Sequence, residues 1–542
     1  MLAHHQPAKP ERDDRGAARM SLLKNVGTIG GLTAVSRVFG FVRDIMLARV
    51  LGAGGVADAW QLAFQLPNLF RRLFAEGAFA SAFVPLFNRH MAEGEHEAKR
   101  FAAEVLAVLL PILVVFGALM MVGMPWVLWL FANADMRGDP ETFGLAVTMG
   151  QIAFPYLMFM SLATLTAAVL NSLSRFAAAA AAPILLNICL LAALFWGAFQ
   201  PSGEETRQAT GFLLAIAVSV SGVLQLVWLV FWMRRAGFSI PFSRPKVTAR
   251  VKEMGVLIIP AVFGAGVYQI SRFIDLAFMR GLPDGSLTYM AMADRWNQLP
   301  LGIIGIALGT AILPALSRYI AREERDEAQR LQSNAVELAM LLTVPAAVAL
   351  FFTGSAFVRV FMQSGAFTSE DAAITGQVVS ALVIGLPAYV LVKVLTPNFF
   401  ARKDTRTPVY TAAASLLVTV ALNVYLIFEL GLGVLSLAIA GAIGAWVNTA
   451  LLYAILVRRG FFRLSGRVAG RLARIALAAS VMGLALALAM PVGDPYFSGT
   501  SIERGLSILA LISIGAVSYG LGAIVLGVLD KATIQRLMRR QT

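Results

Sequence analysis

The chain has 542 residues, of which 58% are hydrophobic and only 14% charged, with a formal net charge of +14. A soluble globular domain carries nearer 45–50% apolar and ~25% charged residues, so a water-soluble enzyme, a disordered chain and a fibrous one are excluded. One cysteine (Cys189) and four histidines give neither a disulfide scaffold nor a ligand set for haem, iron–sulfur or zinc, and no cofactor or metal is expected.

Along the chain, residues 1–20 are polar and lack the apolar segment of a signal peptide, so they read as a disordered, solvated cytoplasmic tail. Fourteen apolar spans follow, at roughly 26–50, 59–88, 105–132, 143–172, 178–199, 209–233, 255–279, 286–317, 333–358, 372–400, 408–428, 434–457, 475–491 and 505–529. Most are long enough to cross a ~30 Å hydrocarbon layer as helices. In lipid the backbone polar groups must be satisfied within the segment, and no strand-like alternation supports a barrel. The expectation is an all-α polytopic membrane protein of fourteen transmembrane helices. Helices 1–6 form an N-lobe over 21–235 and helices 7–12 a C-lobe over 236–460. Residues 461–542 supply helices 13 and 14 and a cytoplasmic C-terminus.

With the N-terminus inside and the spans alternating, 32 of the 45 Lys and Arg fall inside, 5 outside and 8 within spans. That bias obeys the positive-inside rule and places both termini in the cytoplasm of a multi-pass membrane protein. The basic surplus is thereby explained by topology and anionic-lipid contact, and nucleic acid is not an expected partner. A faint repeat runs through the spans. Ser36-Arg37 matches Ser271-Arg272 and Leu66-Pro67 matches Leu299-Pro300, at offsets of 235 and 233 residues. Spans 1 and 7 run the same way, so the two six-helix lobes are expected to be related by a parallel pseudo-twofold axis.

Charge inside a span is expensive and points to function. It clusters in four spans: Arg37, Arg43 and Asp44 in span 1, Arg71, Arg72 and Glu76 in span 2, Arg272 and Asp275 in span 7, Asp294 and Arg295 in span 8. At 1.5 Å per residue, Arg37 and Arg71 lie roughly 18 Å, and Arg295 roughly 14 Å, from the nearer span end. Arg72 and Glu76 are an i,i+4 pair. Buried ion pairing explains part of the set, but arginines outnumber acids. Guanidinium favours phosphate or carboxylate through paired hydrogen bonds, so an arginine-lined chamber predicts an anionic substrate.

Three stretches then become recognisable: SRVFGFVRD at 36–44, GAGGVADAW at 52–60 and QLPNLFRRLFAEGAFASAFVP at 65–85. Together with ADRWNQLPLGIIGIALGTAILPALSR at 293–318 and FFARKDTRTPV at 399–409, they closely resemble the bacterial lipid II flippase family. That family is the MurJ/MviN branch of the multidrug/oligosaccharidyl-lipid/polysaccharide exporter superfamily. The resemblance covers essentially all of 21–530. It implies export of the undecaprenyl-diphosphate-linked peptidoglycan precursor from inner to outer leaflet by alternating access. It further implies diphosphate contacts from Arg37, Arg43, Arg71 and Arg295, with Ser36, Asp44, Asp58 and Glu76 as supporting polar groups. Arg72 and Asp294 lie beside these positions and are included as substrate-binding candidates. Helices 13 and 14 are implied to form a groove for the prenyl tail. Arg272 has no assured counterpart in the family pattern.

The expected partners are the lipid-linked precursor and membrane lipids, with cell-wall synthesis or division machinery as candidates, and the chain is expected to be a monomer. The alternatives are a drug/cation antiporter or another polysaccharide-lipid flippase of the superfamily. From a different class comes a membrane-embedded lipid-carrier glycosyltransferase. That enzyme needs a carboxylate or histidine cluster at the surface, and all four histidines (4, 5, 90 and 96) fall in the inner tail and an inner loop. No catalytic residues are expected.

Overall fold

A computed structural model describes residues 12–72 and 79–529, and among them every regular element is a helix. The first half contains α1 (Arg12–Leu51), α2 (Gly55–Arg71), α3 (Ala80–Glu93), α4 (Glu95–Val122), α5 (Met124–Phe131), α6 (Ala134–Gly138), α7 (Pro140–Ala153), α8 (Tyr156–Ser172), α9 (Phe176–Ala198) and α10 (Glu204–Arg235). The second contains α11 (Ala249–Met279), α12 (Ser286–Pro300), α13 (Ile306–Ala321), α14 (Arg325–Met362), α15 (Ser369–Val383), α16 (Leu386–Phe400), α17 (Arg406–Val424), α18 (Leu435–Arg458), α19 (Gly466–Gly493) and α20 (Ser501–Val525). Helix α1 begins at Arg12, inside the stretch expected as a tail. Residues 1–11 and 530–542, with the expected C-terminal segment, lie outside the described residues.

Among the described residues, ten helices are long and apolar enough to cross a membrane. They coincide with expected spans 3–6 and 9–14. Spans 1, 2, 7 and 8, the ones with internal charge, are also helical where described: α1, α2 with α3, α11, and α12 with α13. A π-helical turn at Leu301–Gly305 interrupts the last pair. The long outward faces are apolar, as in Leu119, Val122 and Leu488, which suits contact with lipid rather than water.

The chain forms two compact units. The first comprises residues 1–46, 63–128 and 146–266. Its core is a column of phenylalanines at helical spacing. Phe79, Phe83 and Phe87 stack in sequence at 5.4 and 5.5 Å, and Phe101 of α4 stacks on Phe83 at 5.5 Å. The non-helical linker after α10 is pinned to this column. Its Phe238 is buried edge-on to Phe87. Thr248 donates to Glu104 at 2.8 Å, Arg250 pairs with Glu97, and Arg89 pairs with Glu253 at 2.7 Å.

The second unit comprises 47–62, 129–145 and 267–542. Two segments from the first half of the sequence therefore belong with the second half. One is interlocked through its backbone. Ala366 N–H donates to the Arg49 carbonyl at 2.8 Å, and the Arg49 guanidinium donates to the Phe361 carbonyl at 3.1 Å. Helices α19 and α20 pack together and against α14. Arg471 pairs with Glu337 at 3.0 Å, and the Tyr519 hydroxyl donates to the Leu341 carbonyl at 2.9 Å. The turn between them is set by a capping box, in which Thr500 and Glu503 satisfy each other's backbone N–H.

The interlock requires glycine. Gly365 has φ +62°, and a β-carbon there would collide with the Arg49 carbonyl oxygen. Gly237 has φ +80° with open space around it. A left-handed alanine costs roughly 1–2 kcal/mol through its backbone alone. Gly237→Ala should therefore lower thermal stability modestly, and Gly365→Ala clearly more, in detergent melts of the two variants. Equal shifts would show that the Gly365 contact adds nothing.

Candidate functional site

In the first unit the candidate residues sit on α1 and α2. Arg43 is 8% exposed and fully occupied. Its Nε and Nη2 donate to Asp44 Oδ1 at 3.0 and 2.7 Å, and its Nη1 donates to Asn187 Oδ1 at 2.9 Å. Asn187, on α9, turns its own amide to the Ser36 carbonyl at 3.0 Å. Arg43, Asp44, Asn187 and Ser36 thus form one closed network tying α1 to α9. A buried guanidinium of this kind is tolerable because both its charge and its donors are answered.

Arg37 is the contrast. It lies two turns back on α1, exposed, and forms no hydrogen bond or ion pair among the described residues. Arg71 is half-buried and donates from Nε and Nη2 to Asn68 Oδ1 at 3.1 and 2.8 Å, which fixes the guanidinium plane one turn along α2. Arg72 is half-buried beside it. Glu76, its expected partner, lies outside the described residues.

In the second unit, Asp294 answers Arg272 at 3.6 Å and accepts from Gln298 one turn on. Arg295 is half-buried on the same helix. The two repeat-related arginines therefore differ in state: Arg272 has an acid and Arg37 has none.

Asp58 does something other than the sequence suggested. It is 2% exposed and belongs to the second unit, where it caps helix α12. One carboxylate oxygen accepts from Gly285 N–H at 2.8 Å. The other accepts from Thr288 N–H at 2.9 Å and from the Thr288 hydroxyl at 2.6 Å. Burial pushes this carboxyl up to about 6, with the Thr288 and Gly285 donors pulling the other way. A carboxylate at a helix N-terminus compensates the orphan N–H groups and the dipole. Three of its acceptor positions are used there.

Sequence reasoning missed Asn187. Its only signal is a single amide in the run PILLNICLL at 183–191, where an unpaired side-chain amide would be costly. Among the described residues no group of three or more His, Cys, Asp or Glu is placed to hold a metal ion.

The arrangement offers guanidinium groups within helices of otherwise apolar composition, one with free donors and others aimed by neutral amides. That chemistry is suited to an anion with several oxygens. Asn187→Ala should leave Arg43 Nη1 without its acceptor, remove the amide from the Ser36 carbonyl and cost about 1–3 kcal/mol, seen as a lower melting temperature in detergent. Arg37→Ala should leave that temperature unchanged. A stable Asn187→Ala protein would show the network to be dispensable.

Comparison with known proteins extends this picture. Residues 47–506 match the family model described as "Lipid II flippase MurJ". The chain is 39% identical over 524 residues to the "Probable lipid II flippase MurJ" of Rhizobium meliloti (strain 1021), covering 96% of this chain and 97% of that one. Among solved structures it resembles "Lipid II flippase MurJ, inward closed conformation", with a TM-score of 0.73 and 23% identity over 92% of this chain and 98% of that one. It also resembles an inward-facing multidrug resistance MATE family transporter of the MOP superfamily, with a TM-score of 0.63 and 13% identity over 78% of this chain and 94% of that one.

Proposed function

The chain belongs to the lipid II flippase MurJ family, and from that premise we propose that it moves the undecaprenyl-diphosphate-linked peptidoglycan precursor from the inner to the outer leaflet of the bacterial cytoplasmic membrane by alternating access. It is a transporter rather than a catalyst. Beyond the family itself, the reading is carried by Arg37, an arginine within an expected span whose guanidinium is exposed and has no partner among the described residues. In an apolar span such a cation needs water or an anion, and a diphosphate supplies the latter. We assign the principal diphosphate contact to Arg37, with Arg71 and Arg295 as further contacts. Arg43, Asp44 and Ser36 hold α1 in place for it. Asp294 acts on Arg272, and Asp58 on α12. Both termini are assigned to the cytoplasm from the 32-to-5 distribution of Lys and Arg.

A drug/cation antiporter of the same superfamily fits less well. Its cargo is cationic, and arginines in the spans repel it.

Arg37→Ala should reduce precursor export about ten- to hundredfold, the worth of one charge-assisted hydrogen-bonded contact, at normal membrane abundance. Arg37→Lys should impair it too, since the ammonium lacks the planar fork, while Arg463→Ala in an inner loop should be mild. Depletion–complementation, scored by the leaflet on which lipid II accumulates, measures this. Full complementation by Arg37→Ala would remove the anion-site assignment.

The energetics are testable separately. The cargo is anionic and moves outward from a negative interior, so the potential favours it by ~2.3 kcal/mol per charge per 100 mV. Two net charges gain on the order of 4–5 kcal/mol, more than a thousandfold bias. The sequence contains no GxxxxGK[ST] loop for ATP. Export should stop when valinomycin and potassium collapse the potential, and continue when ATP is depleted at preserved potential. The reverse pattern refutes potential-driven export.

A further inference from the structure

Five basic residues fall in the loops that the charge bias places outside: Arg137, Arg207, Arg280, Arg359 and Arg504. Three are absorbed by the fold. Arg207 pairs with Glu204 at 2.5 Å, Arg359 pairs with Asp494, and Arg504 donates to the Gly499 carbonyl at 2.9 Å. Arg137 and Arg280 form no ion pair among the described residues. Both instead lie over one ring, that of Trp129, with guanidinium carbons 4.3 and 5.5 Å from its centroid.

Acids stand nearby in sequence but are turned to other donors. Asp284 accepts from Asn133 at 2.7 Å, Asp135 accepts from the Asp284 N–H at 3.2 Å, and Asp139 accepts from the Thr142 hydroxyl at 2.5 Å. Arg137 donates from Nη2 to the Trp129 carbonyl, while its Nε is buried with no acceptor. Burial and the neighbouring Arg280 charge both push Arg137 below the usual guanidinium range. Two cations gathered at one aromatic ring, with a donor left open, are an arrangement that an anion would relieve.

The position narrows the anion. Trp129 ends the third expected span and is 54% exposed, and Trp126 one turn earlier is 72% exposed. Exposed tryptophans at a span end mark the lipid–water interface. The groups available at that depth are lipid phosphates. We propose that Trp129, Arg137 and Arg280 form a binding site for the phosphate of a lipid in the outer leaflet. The leaflet assignment rests on the topology given under the proposed function. The phosphate could come from two sources with the same chemistry: the phosphodiester of a resident phospholipid, or the diphosphate of an outgoing polyprenyl carrier.

Native mass spectrometry of the delipidated full chain in detergent tests this and separates the sources. Phosphatidylglycerol is titrated into the wild type and into R137Q/R280Q. Undecaprenyl diphosphate is titrated into the same pair carrying Arg37→Ala, so that the principal diphosphate contact proposed above is removed from both and Arg71 and Arg295 are common to both. The double variant should lose about tenfold in affinity for at least one ligand. Loss for phosphatidylglycerol alone identifies a resident phospholipid, and loss for undecaprenyl diphosphate alone identifies the outgoing carrier. R280Q alone, at an exposed position, should lose severalfold and serves if the double variant does not fold. Unchanged affinity for both ligands in folded variants overturns the site. Because binding is read without transport, a failure of the flippase reading would show in the export assays and not here.

Discussion

Hydrocarbon does not solvate a guanidinium, and most of this structure's polar organisation follows from that constraint. A charge in a span must be neutralised, hydrogen-bonded or exposed to something other than lipid tails. Arg43 takes the first two routes, with Asp44 supplying charge and Asn187 supplying an oxygen from another helix. Arg272 takes the first through Asp294. Arg37 takes neither. Structural arginines are recognisable by being answered, and Arg37, which has no partner among the described residues, is the one to which the proposed function assigns a substrate charge.

The same reasoning applies to backbone groups. A helix whose start is buried leaves N–H groups that need acceptors from elsewhere in the chain. Asp58 supplies three acceptor contacts to the start of α12 from a part of the chain about 230 residues earlier. Such a bond ties the 47–62 segment to the second unit more firmly than apolar packing alone. The Ala366–Arg49 backbone contact acts on the same segment. A change of access that separated these elements would have to supply new partners for a buried carboxylate, and water entering from outside is the available one.

Much of this was legible beforehand. Span positions follow from hydropathy, because a hydrocarbon layer demands about twenty apolar residues per crossing. The concentration of charge in spans 1, 2, 7 and 8 is readable from composition alone. What escaped was long-range pairing. Asn187 lies 144 residues from Arg43, and a lone amide in an alanine- and leucine-rich helix does not name its partner. Asp58 lies inside GAGGVADAW at 52–60, and the family resemblance implies a supporting polar role for it beside the arginines. Its actual partner is a helix start, which only the packing of the chain reveals. The pairing of Asp294 with Arg272, 22 residues earlier, is likewise a long-range contact that spacing alone does not name.

The outer arginines show the limit of reading topology from charge. The positive-inside rule is a statement about numbers, and five exceptions among 45 do not disturb it. Each exception still needs a local account, because a cation that the charge bias assigns to the outside gains nothing from the rule. Ion pairing or carbonyl contacts account for Arg207, Arg359 and Arg504. The two left over converge on a single indole at the end of an expected span, although the chain offers acids close by in sequence. Had those acids been turned inward, the cluster would have been neutral and silent. Their engagement by Asn133, a backbone N–H and Thr142 keeps the pair of guanidiniums positive, and a positive pair on an aromatic platform discriminates for an anion over the zwitterionic or neutral surface around it.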